Sequence, residues 1–510
     1  MTEAKRSMGI AEMLAGMEFE VVGARDVEAT GLAYRSDRVE EGGVFFCIPG
    51  LKRDGHDFAA DAIERGGVAL VVQRKLPVDV PQFVVADSRK ALAIAASRFY
   101  GMPSEQLALV GITGTNGKTT TTFLVDWAAR SQGLKTGLIG TVETRIGDEV
   151  IHADHTTPES LDLQSLLARM VEEGCQSAAM EVSSHAIDLN RILGTRFAVA
   201  AFSNLTQDHL DYHETMDNYF EAKAALFTPE YTGKAAICIS DRYGEKLAAR
   251  AIDLGLDVVT TGFEAAADIR VVSAEYHATH TALTISAFGE THSFDYPLIG
   301  RFNVENVALA LGICHQLGYD LGEMCTAMEH APQAPGRMER VSLTGADARQ
   351  THDATGFSVF VDYAHTPDSI EKAIAALKPI TPGRIITVFG CGGDRDRTKR
   401  PKMGAASCAS DRMVVTSDNP RTEDPETIIA DILPGMRQGT GRYEVIPDRR
   451  EAIFRAIEIA EPGDSVLIAG KGHEDYQLVG DKVLDFDDRI VAREALDGLV
   501  AGNGGPRDAD

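Results

Sequence analysis

The stretch LVGITGTNGKTTTTFLV, residues 109–125, decides the fold. It starts with an apolar, β-branched run, passes through a glycine-rich turn and continues in a helical pattern. Strand, glycine loop and helix in that order make a P-loop, because backbone N–H groups and the helix N-terminus can hold phosphate oxygens. We expect the loop to consist of these residues: Gly114, Thr115, Asn116, Gly117, Lys118, Thr119 and Thr120.

Two side chains of this loop can act on a nucleotide. Lys118 can reach the β- and γ-phosphates, and Thr119 can be a ligand of Mg²⁺. The commonest form of the loop has a glycine at the position of Ile112, so this chain has a rarer subtype. A simple turn between strand and helix is the alternative interpretation, which the complete strand–loop–helix context disfavours.

Similar apolar runs recur along the chain and alternate with amphipathic helical stretches. Examples of the runs are residues 44–48, 385–394 and 465–472. This alternation predicts α/β units with mostly parallel sheets, whose ligands collect beyond the carboxyl ends of the strands. Breaks in the pattern occur at residues 99–106 and 331–339. We expect three domains, which span residues 1–105, 106–336 and 337–510.

The composition limits the class of protein. The 510 residues are 44% hydrophobic and 25% charged, as in ordinary soluble proteins, and the formal net charge of −26 disfavours binding to nucleic acid or to an anionic membrane surface. The N-terminal residues have no signal-peptide core, and no run is apolar enough to insert into a membrane. Seven scattered cysteines are typical of a reducing compartment. We therefore expect a cytoplasmic protein, and we expect it to be a monomer.

Ionisable residues follow two further predicted strands. Glu181 ends the strand in MEVSSH, while Asp208 and His209 lie in SNLTQDHLDYH, which follows another strand. A carboxylate and an imidazole at neighbouring strand ends can complete the coordination of Mg²⁺ around a triphosphate. Taken singly, each is more often a helix cap or a hydrogen-bonded structural residue, so spacing alone leaves the metal role open.

A series of motifs resembles the Mur ligase family in content and in order. The motifs are GTNGKTT, TTPE, EVSSH, NLTQDHLDYH, EAKAALF, GRFNVENVALA, PGRME, VDYAHTPDS, GCGGDRDRTKRP, DNPRTE and AGKGHEDYQ. The family consists of ATP-dependent amino-acid ligases of bacterial cell-wall precursor synthesis, and the resemblance covers essentially the whole chain. It implies an α/β fold of three domains, in which a central P-loop ATPase-type sheet is flanked by an N-terminal UDP-binding domain and a C-terminal Rossmann-like domain.

Within the family, the motifs are most similar to those of members that add the third amino acid of the peptide. The resemblance implies that ATP phosphorylates the γ-carboxylate of D-Glu in UDP-N-acetylmuramoyl-L-Ala-D-Glu, and that the amine of meso-diaminopimelate then attacks the acyl phosphate. Carboxylate is a poor electrophile, so this chemistry needs a phosphoryl donor, metal ions and tight positioning. Lys118 would stabilise the transferred group. Thr119 and Glu181 would bind one Mg²⁺ ion, and His209 a second.

Lys223 corresponds to a lysine that the family carbamylates with CO₂ and uses to bind metal. Its place on an alanine-rich helix by itself predicts only a solvated surface side chain. The resemblance also assigns four residues to ATP, namely Asn303 and Asn306 near the adenine, Arg337 and Asp362. A helix cap for Asn303 and a turn-stabilising salt bridge for Arg337 are the alternatives.

The nucleotide-sugar peptide would be bound by a further group of residues. The resemblance implies that Ser36 lies in the uridine-binding segment. It implies that the muramoyl peptide is contacted by Thr156, Thr157, Ser183 and Arg191. Two positions depart from the family, since His155 stands where Asn is frequent and Leu189 where some relatives have Gln. These departures put individual hydrogen bonds in doubt without changing the substrate class.

Arg421 lies in an acidic loop, TSDNPRTED, residues 416–424. In the family, members that add meso-diaminopimelate have Arg after DNP, and members that add L-lysine commonly do not. A guanidinium offers a bidentate fork to the distal carboxylate, which lysine lacks. The alternative is that Arg421 only balances its acidic neighbours. The resemblance implies an amino-acid site made of Arg395, Asp418, Asn419, Pro420, Arg421, Gly470 and Glu474.

Three alternative functions stay open at this point. A sister ligase, such as folylpolyglutamate synthase or the ligase that adds D-Ala-D-Ala, is disfavoured by DNPR and GKGHE together with the segment SDRVEEGGVFF. The same reaction with L-lysine is disfavoured by Arg421. A P-loop ATPase or kinase that acts as a switch needs no domain for an amino acid, and would turn over ATP without one.

Overall fold

The computed structural model describes residues 6–50, 53–151, 155–437 and 441–503. The chain divides into two compact units. The first consists of Met1–Ile269 with Leu309–Met324, and the second of Arg270–Ala308 with Cys325–Asp510. Both are built from sheets with helices against them, so the predicted α/β class is confirmed. The domain boundaries at residues 105 and 336 stay predictions.

The N-terminal part of the first unit contains a small sheet. The strands of this part of the chain are β1 (Met8–Gly9), β2 (Phe19–Val22), β3 (Glu28–Ala29), β4 (Gly31–Ala33), β5 (Gly43–Phe46), β6 (Ala69–Val72) and β7 (Gln82–Val85), and the helices are α1 (Ile10–Met13), α2 (Ala59–Glu64) and α3 (Ser88–Phe99). Strands β1 and β3 pair with each other in a separate two-stranded sheet. The sheet order is β2-β7-β6-β5-β4, and only β2 is antiparallel to its neighbour. Strands β5 and β6 are fully buried, which explains why both are continuous apolar runs.

Helix α3 begins at a side-chain cap and ends at a break predicted from the sequence. The Asp87 carboxylate accepts hydrogen bonds from the N–H groups of Arg89 and Lys90 at 2.9 and 3.1 Å, which caps the helix. The helix ends at Phe99, at the start of the break predicted at residues 99–106.

The rest of the first unit surrounds the P-loop sequence. Its strands are β8 (Ala108–Thr113), β9 (Thr136–Ile139), β10 (Thr144–Ile146), β11 (Glu149–Ile151), β12 (Ser177–Glu181), β13 (Val199–Phe202), β14 (Lys234–Cys238) and β15 (Asp257–Gly262). Its helices are α4 (Lys118–Ser131), α5 (Ser160–Glu172), α6 (Ser184–Asp188), α7 (Leu210–His213), α8 (Met216–Ala224) and α9 (Arg242–Asp253). The strand order is β11-β10-β9-β12-β8-β13-β14-β15.

Strand β8 lies between β12 and β13 and is parallel to both. Glu181 at the end of β12 pairs with Ile112, and Phe202 at the end of β13 pairs with Thr113. The three strands therefore end at one edge of the sheet. The P-loop, the Glu181 side chain and the segment after β13 meet there, which is where parallel sheets bind ligands.

The second unit contains the remaining elements. Its strands are β16 (Ile269–Tyr276), β17 (Thr281–Ala287), β18 (Glu290–Tyr296), β19 (Glu339–Val341), β20 (Ser358–Asp362), β21 (Ile385–Phe389), β22 (Arg412–Val415), β23 (Arg442–Val445), β24 (Ser465–Ala469), β25 (Tyr476–Val479) and β26 (Lys482–Asp485). The helices are α10 (Arg301–Leu317, whose last turns belong to the first unit), α11 (Leu321–Met328, whose first turn belongs to the first unit), α12 (Ala348–Thr355), α13 (Pro367–Leu377), α14 (Lys399–Ser407), α15 (Pro425–Met436), α16 (Arg449–Glu458) and α17 (Asp488–Asn503).

The main sheet of the second unit has the order β19-β20-β24-β21-β22-β23. From β20 to β23 all pairings are parallel, and only β19 is antiparallel. Apolar side chains on the two faces of the sheet pack into two separate hydrophobic clusters. The segments that follow β20, β21, β22 and β24 therefore leave from one edge, and these segments contain the VDYAH, GCGGD, DNPR and GKGHE motifs.

No helix in the described ranges is long and apolar enough to cross a membrane.

Candidate functional site

At Gly114 the P-loop packs closely against Ser203, in the segment that follows β13. The φ angle of Gly114 is 148°, and a Cβ atom there would lie 1.9 Å from Oγ of Ser203. Only glycine accepts this backbone conformation and this approach. Helix α4 begins at Lys118, so the strand–loop–helix order predicted from residues 109–125 is confirmed.

Hydrogen bonds from the segment after β13 hold the P-loop in place. The backbone N–H of Thr115 donates to the carbonyl oxygen of Asn204 at 2.9 Å, and the N–H of Asn116 donates to Oδ1 of the same residue at 3.0 Å. The Ser203 hydroxyl donates to the carbonyl oxygen of Asn116 at 2.5 Å. Sequence analysis missed Ser203 and Asn204, although both stand in the quoted SNLTQDHLDYH segment.

Two lysines converge on a single carbonyl oxygen of the loop. Nζ of Lys118 and Nζ of Lys223 each lie 2.9 Å from the carbonyl oxygen of Gly114, and Lys118 also donates to the carbonyl oxygen of Thr115 at 2.9 Å. Only 1% of Lys223 is exposed. The interpretation of Lys223 as a solvated surface side chain is therefore wrong. Burial, and next the charge of Lys118, hold the pKa of the Lys223 amine well below its usual range.

Thr119 and Glu181 form a buried pair at the end of the loop. The Thr119 hydroxyl donates to Oε1 of Glu181 at 3.0 Å, and 1% of Glu181 is exposed. Thr141, which sequence analysis missed, donates to the same carboxylate through its N–H at 2.8 Å and its hydroxyl at 3.0 Å. The pair offers hydroxyl and carboxylate oxygens, which are the donors that Mg²⁺ prefers.

His209 lies on the same side of the first unit, among other aromatic and imidazole rings. Its backbone has a positive φ of 51°, and its ring centroid is 5.0 Å from that of His185 and 6.2 Å from that of Tyr219. Desolvation lowers the pKa of His209, the Asp208 carboxylate opposes this shift, and the charges of Lys118 and Lys223 add to it. His209 is therefore disposed to be neutral, which is the form that binds metal.

Residues predicted to hold the muramoyl peptide lie next to Glu181. The Thr157 hydroxyl donates to the carbonyl oxygen of Glu181 at 2.9 Å and accepts from the N–H of Ser183 at 3.1 Å. Nη1 of Arg191 donates to the carbonyl oxygen of Thr157 at 3.1 Å. The Thr156 hydroxyl is 3.0 Å from that of Thr141. The structure thus brings Thr156, Thr157, Ser183 and Arg191 together.

Three other residues of this unit were singled out from the sequence. Ser36 begins a 3₁₀ turn at residues 36–38 and hydrogen-bonds with Asp61. His155 is exposed, and Leu189 is the residue that ends α6. The geometry gives neither His155 nor Leu189 a specific role.

The residues assigned to the nucleotide in the second unit are held by local contacts. Nδ2 of Asn303 donates to the carbonyl oxygen of Ile299 at 2.9 Å, and Nδ2 of Asn306 donates to Oδ1 of Asn303 at 3.2 Å. Oδ2 of Asp362 accepts from the N–H of Met338 at 2.7 Å. Burial raises the pKa of the Asp362 carboxyl, while the nearby Arg337 charge lowers it.

Arg337 lies over the ring of Tyr363 and beside His473, and within the described ranges it makes no salt bridge. Its guanidinium carbon lies 4.6 Å from the ring centroid of Tyr363, and its Nη1 lies 3.5 Å from Nδ1 of His473. Burial, together with the charges of Arg337 and Arg489, lowers the pKa of His473 to about 4. His473 is therefore neutral at pH 7, so it stands beside Arg337 without repelling it.

The backbones that carry Arg337 and His473 are in close contact through glycines. A Cβ atom on Gly336 would lie 2.1 Å from the N atom of His473, and a Cβ atom on Gly472 would lie 2.8 Å from the carbonyl oxygen of Gly336. We call this contact the glycine seam.

Asn419 and Glu474, both predicted to bind the amino acid, are in direct contact. Nδ2 of Asn419 donates to Oε2 of Glu474 at 2.9 Å. The ammonium of Lys471, which is fully buried, donates to Oδ1 of Asn419 at 3.1 Å and to the same Oε2 of Glu474 at 3.3 Å. Both donors thus use one oxygen of Glu474. Sequence analysis missed Lys471, although the residue is part of GKGHE.

Arg421 is not engaged by its acidic neighbours. Its Nη1 donates to the carbonyl oxygens of Gly393 at 2.9 Å and Asn419 at 3.4 Å. Its backbone N–H donates to Leu478 and its carbonyl oxygen accepts from Gly480, which pairs it with the β25 hairpin. Within residues 6–50, 53–151, 155–437 and 441–503, no ion pair involves Arg421.

The three acids near Arg421 have other partners. Glu423 pairs with Arg400 at 2.7 Å, and Asp424 caps α15 by accepting from two backbone N–H groups. Oδ2 of Asp418 lies 4.0 Å from Nη1 of the buried Arg449. The alternative that Arg421 only balances these acids therefore finds no support in the geometry.

The remaining predicted residues of this site surround the same loop. The N–H of Gly470 donates to the carbonyl oxygen of Asp362 at 3.1 Å, and Pro420 packs its carbonyl group against Gly393. Arg395 is exposed, and its Nη1 lies 3.3 Å from the carbonyl oxygen of Asp394.

Three family models match consecutive parts of the chain. They are the Mur ligase family catalytic domain at residues 28–100, the Mur ligase middle domain at residues 112–314, and the Mur ligase glutamate ligase domain at residues 336–472.

Several curated relatives are similar over nearly their whole length. The UDP-N-acetylmuramoyl-L-alanyl-D-glutamate--2,6-diaminopimelate ligases of Geobacillus thermodenitrificans and Gloeobacter violaceus are each 45% identical, over 92% and 96% of this chain and 95% and 98% of their own. The ligase of the same name from Trichormus variabilis is 46% identical, over 92% of this chain and 95% of its own.

Solved structures resemble the chain as well. A structure of a ligase with that name has a TM-score of 0.72 at 32% identity, and covers 97% of this chain and 99% of its own. A folylpolyglutamate synthase from Mycobacterium tuberculosis, complexed with ADP, shares the fold at 20% identity and a TM-score of 0.58, over 75% of this chain and 91% of its own.

Proposed function

This chain belongs to the Mur ligase family, and we propose that it joins meso-2,6-diaminopimelate to the D-Glu γ-carboxylate of UDP-N-acetylmuramoyl-L-Ala-D-Glu, with cleavage of ATP to ADP and phosphate. The geometric observation that carries the proposal is the buried pair of Thr119 and Glu181 at the end of a complete P-loop. The three curated relatives described above, at 45–46% identity, support the choice of substrates.

Phosphoryl transfer is assigned to the P-loop edge of the first unit. Backbone N–H groups at the start of α4 bind phosphate oxygens, and the Lys118 ammonium stabilises the charge of the transferred γ-phosphoryl group. The acceptor is the γ-carboxylate of D-Glu, and the product is an acyl phosphate. We place the peptide against Thr157, Ser183 and Arg191, because these residues pack directly on the strand end that carries Glu181.

The oxygen donors of Thr119 and Glu181 fit Mg²⁺. In the described part of the chain, no group of three or more His, Cys, Asp or Glu side chains converges as a ready cage for a metal. Mg²⁺ commonly binds one or two carboxylates and takes its other ligands from phosphate and water. Mg²⁺ supplies charge neutralisation to the triphosphate, and Thr119 and Glu181 would hold it. His209 is the proposed ligand of a second ion.

Lys223 is the proposed site of carbamylation. A neutral amine attacks the carbon of CO₂, forms a C–N bond and loses one proton to water. Burial beside Lys118 lowers the pKa of the Lys223 amine and so favours the neutral form that the reaction needs. The product is an anion, which offers oxygen ligands to a metal and places a negative charge next to Lys118.

Removal of CO₂ is expected to lower kcat reversibly. In CO₂-free buffer we expect a loss of about tenfold, comparable to the loss of a group that orients a metal site, and full recovery with bicarbonate. With ¹³C-labelled bicarbonate, the wild type is expected to give a carbamate resonance that disappears when acid protonates the amine. The Lys223→Arg variant, whose guanidinium does not form a carbamate, is the control and is expected to lack both effects. Full activity without CO₂ and no resonance would contradict the assignment.

The amino acid is assigned to the DNPR edge of the second unit. Both Asn419 and Lys471 use Oε2 of Glu474, which orients that carboxylate for the ammonium of an incoming amino acid. Arg421, with Arg395 nearby, is the proposed partner of the distal carboxylate. The nucleotide is further assigned to Asn303, Arg337 and Asp362, and the uridine to Ser36.

The experiment that tests the function is a substrate comparison. Purified protein with ATP, Mg²⁺ and UDP-N-acetylmuramoyl-L-Ala-D-Glu receives either meso-diaminopimelate or L-lysine, and product mass and phosphate release are measured together. We expect tripeptide product with diaminopimelate alone. Product with lysine alone would reject the role of Arg421 but keep the chemistry. Steady ATP hydrolysis without product would favour a switch ATPase or a sister ligase.

A further inference from the structure

Two loops of the second unit are joined by backbone contacts. We call residues 390–395, after β21, the GCGGD loop, and residues 418–424, after β22, the DNPR loop. The N–H of Gly393 donates to the carbonyl oxygen of Asn419 at 2.9 Å. The Thr422 hydroxyl and N–H donate to the Asp394 carboxylate at 2.7 and 3.2 Å.

Each loop contains one residue in a strained backbone conformation. Asp394 has a φ of 53° and Arg421 a φ of 52°, in the left-handed region that side chains other than glycine rarely adopt. Such conformations persist only where the surroundings determine them. Something beyond the local sequence must therefore hold the two loops.

The holding group is an ion pair between a buried arginine and the half-buried Glu423. Only 1% of Arg400, the second residue of α14, is exposed. Its Nη2 and Nη1 donate to Oε1 and Oε2 of Glu423 at 2.7 and 3.0 Å, and Oε1 also accepts from the N–H of Asp394 at 2.6 Å. The hydrogen bonds from Arg400 and Asp394 lower the pKa of Glu423 to about 2.

We propose that Arg400 and Glu423 are positioning residues that set the amino-acid selectivity by aiming the Arg421 guanidinium. The proposal rests on the function given above. Three contacts connect Arg400 to Arg421. Arg400 donates to the Glu423 carboxylate, which accepts from the N–H of Asp394. The carbonyl oxygen of Gly393, in the same peptide group as that N–H, accepts from Nη1 of Arg421.

The strength of a bidentate guanidinium–carboxylate pair depends on the orientation of the guanidinium. Bidentate pairing of guanidinium and carboxylate needs both groups in one plane and at matched distances, so a small rotation removes one of the two hydrogen bonds. A loosened GCGGD loop would therefore weaken binding of a substrate with a distal carboxylate. It would leave binding of lysine, which lacks that carboxylate, unchanged.

Asp431 offers a matched control. Its Oδ2 accepts from the same Arg400 at 2.9 Å, but the residue lies on α15 and makes no described hydrogen bond to either loop. Asp431→Asn thus weakens the same buried arginine without releasing the Asp394 N–H. A general loss of stability would appear equally in Asp431→Asn and in Glu423→Ala.

The test is a double-mutant cycle in steady-state kinetics. For Glu423→Ala we expect the KM for diaminopimelate to rise about tenfold, which corresponds to about 1.4 kcal/mol, with kcat and the KM for ATP unchanged. Glu423→Gln, which can still accept from the Asp394 N–H, is expected to recover part of the loss, and Asp431→Asn is expected to behave as the wild type. In an Arg421→Ala background, Glu423→Ala is expected to change nothing further.

Equal effects of Glu423→Ala with and without Arg421, or an equal effect of Asp431→Asn, would overturn the proposal. Hydrogen exchange supplies a readout that needs no turnover, because amides 393–395 should exchange faster in Glu423→Ala than in Asp431→Asn. A wild type that makes no product with diaminopimelate would reject the proposed function, whereas unchanged exchange would reject the role of Glu423.

Discussion

The Lys118→Ala variant is expected to lose about 10³-fold in kcat, because removing one donor aimed at developing transition-state charge costs about 10²–10³-fold in rate and Lys118 contributes a full charge. In the structure, the Lys118 ammonium is held at the loop by the carbonyl oxygens of Gly114 and Thr115. Product formation with saturating substrates, followed by mass spectrometry, measures the loss.

Two controls separate chemistry from folding in that experiment. Lys372→Ala removes an exposed lysine that pairs with Asp368 one turn earlier on α13, and is expected to keep full activity. Thermal unfolding should show that Lys118→Ala stays folded, since the lost bonds are to loop carbonyls rather than to a core. A folded Lys118→Ala variant with near wild-type kcat would reject the assignment of the P-loop as the site of phosphoryl transfer.

The Arg421→Ala variant is expected to raise the KM for diaminopimelate about 100-fold, because loss of a bidentate, charge-assisted pair costs about 3 kcal/mol. Turnover with L-lysine is expected to stay the same or to improve, since no stranded guanidinium then faces the lysine side chain. The ratio of kcat/KM for the two amino acids is the quantity to measure.

The matched control for that variant is Arg442→Ala, which removes an exposed arginine of β23 in the same unit. It should leave the ratio unchanged. If Arg421→Ala changed kcat/KM for both amino acids by the same factor, the guanidinium would have a structural role in the DNPR loop, and the selectivity would have to come from elsewhere.

Much of the fold could be predicted because its signals are local. Buried parallel strands are short apolar runs, and the P-loop is one contiguous segment, so residues 109–125 specify strand, turn and helix together. The meeting of Thr119 with Glu181 also follows from the sequence, since the P-loop that leads to Thr119 follows β8 and Glu181 ends the neighbouring parallel strand β12.

The residues that sequence analysis misjudged are those whose role depends on which face of a helix is buried. On α8 the buried residues are Tyr219, Phe220, Lys223 and Ala224, so Lys223 lies on the apolar stripe of its helix. That spacing could have identified Lys223 as buried, but the general preference of lysine for solvent led to the opposite prediction. Arg400 occupies the same kind of position on α14, with Met403 and Ser407 on its face.

Other long-range partners could not be found from local patterns. Asn204 braces Asn116 from 88 residues away, and the Glu474 carboxylate is held by Asn419 from 55 residues away. Such pairs are created by the strand order of each sheet, and strand order is a property of the assembled chain rather than of any segment.

The glycine seam restricts how this protein can evolve resistance to an inhibitor. Gly336 and Gly472 leave no room for a β-carbon, and they stand next to Arg337 on one side and within two residues of Glu474 on the other. A compound that contacts the seam backbone would bind a surface whose shape no substitution at Gly336 or Gly472 can change without moving the backbone. Any escape mutation there would displace the groups proposed for the nucleotide and for the amino acid at the same time, so it would impair both proposed binding sites.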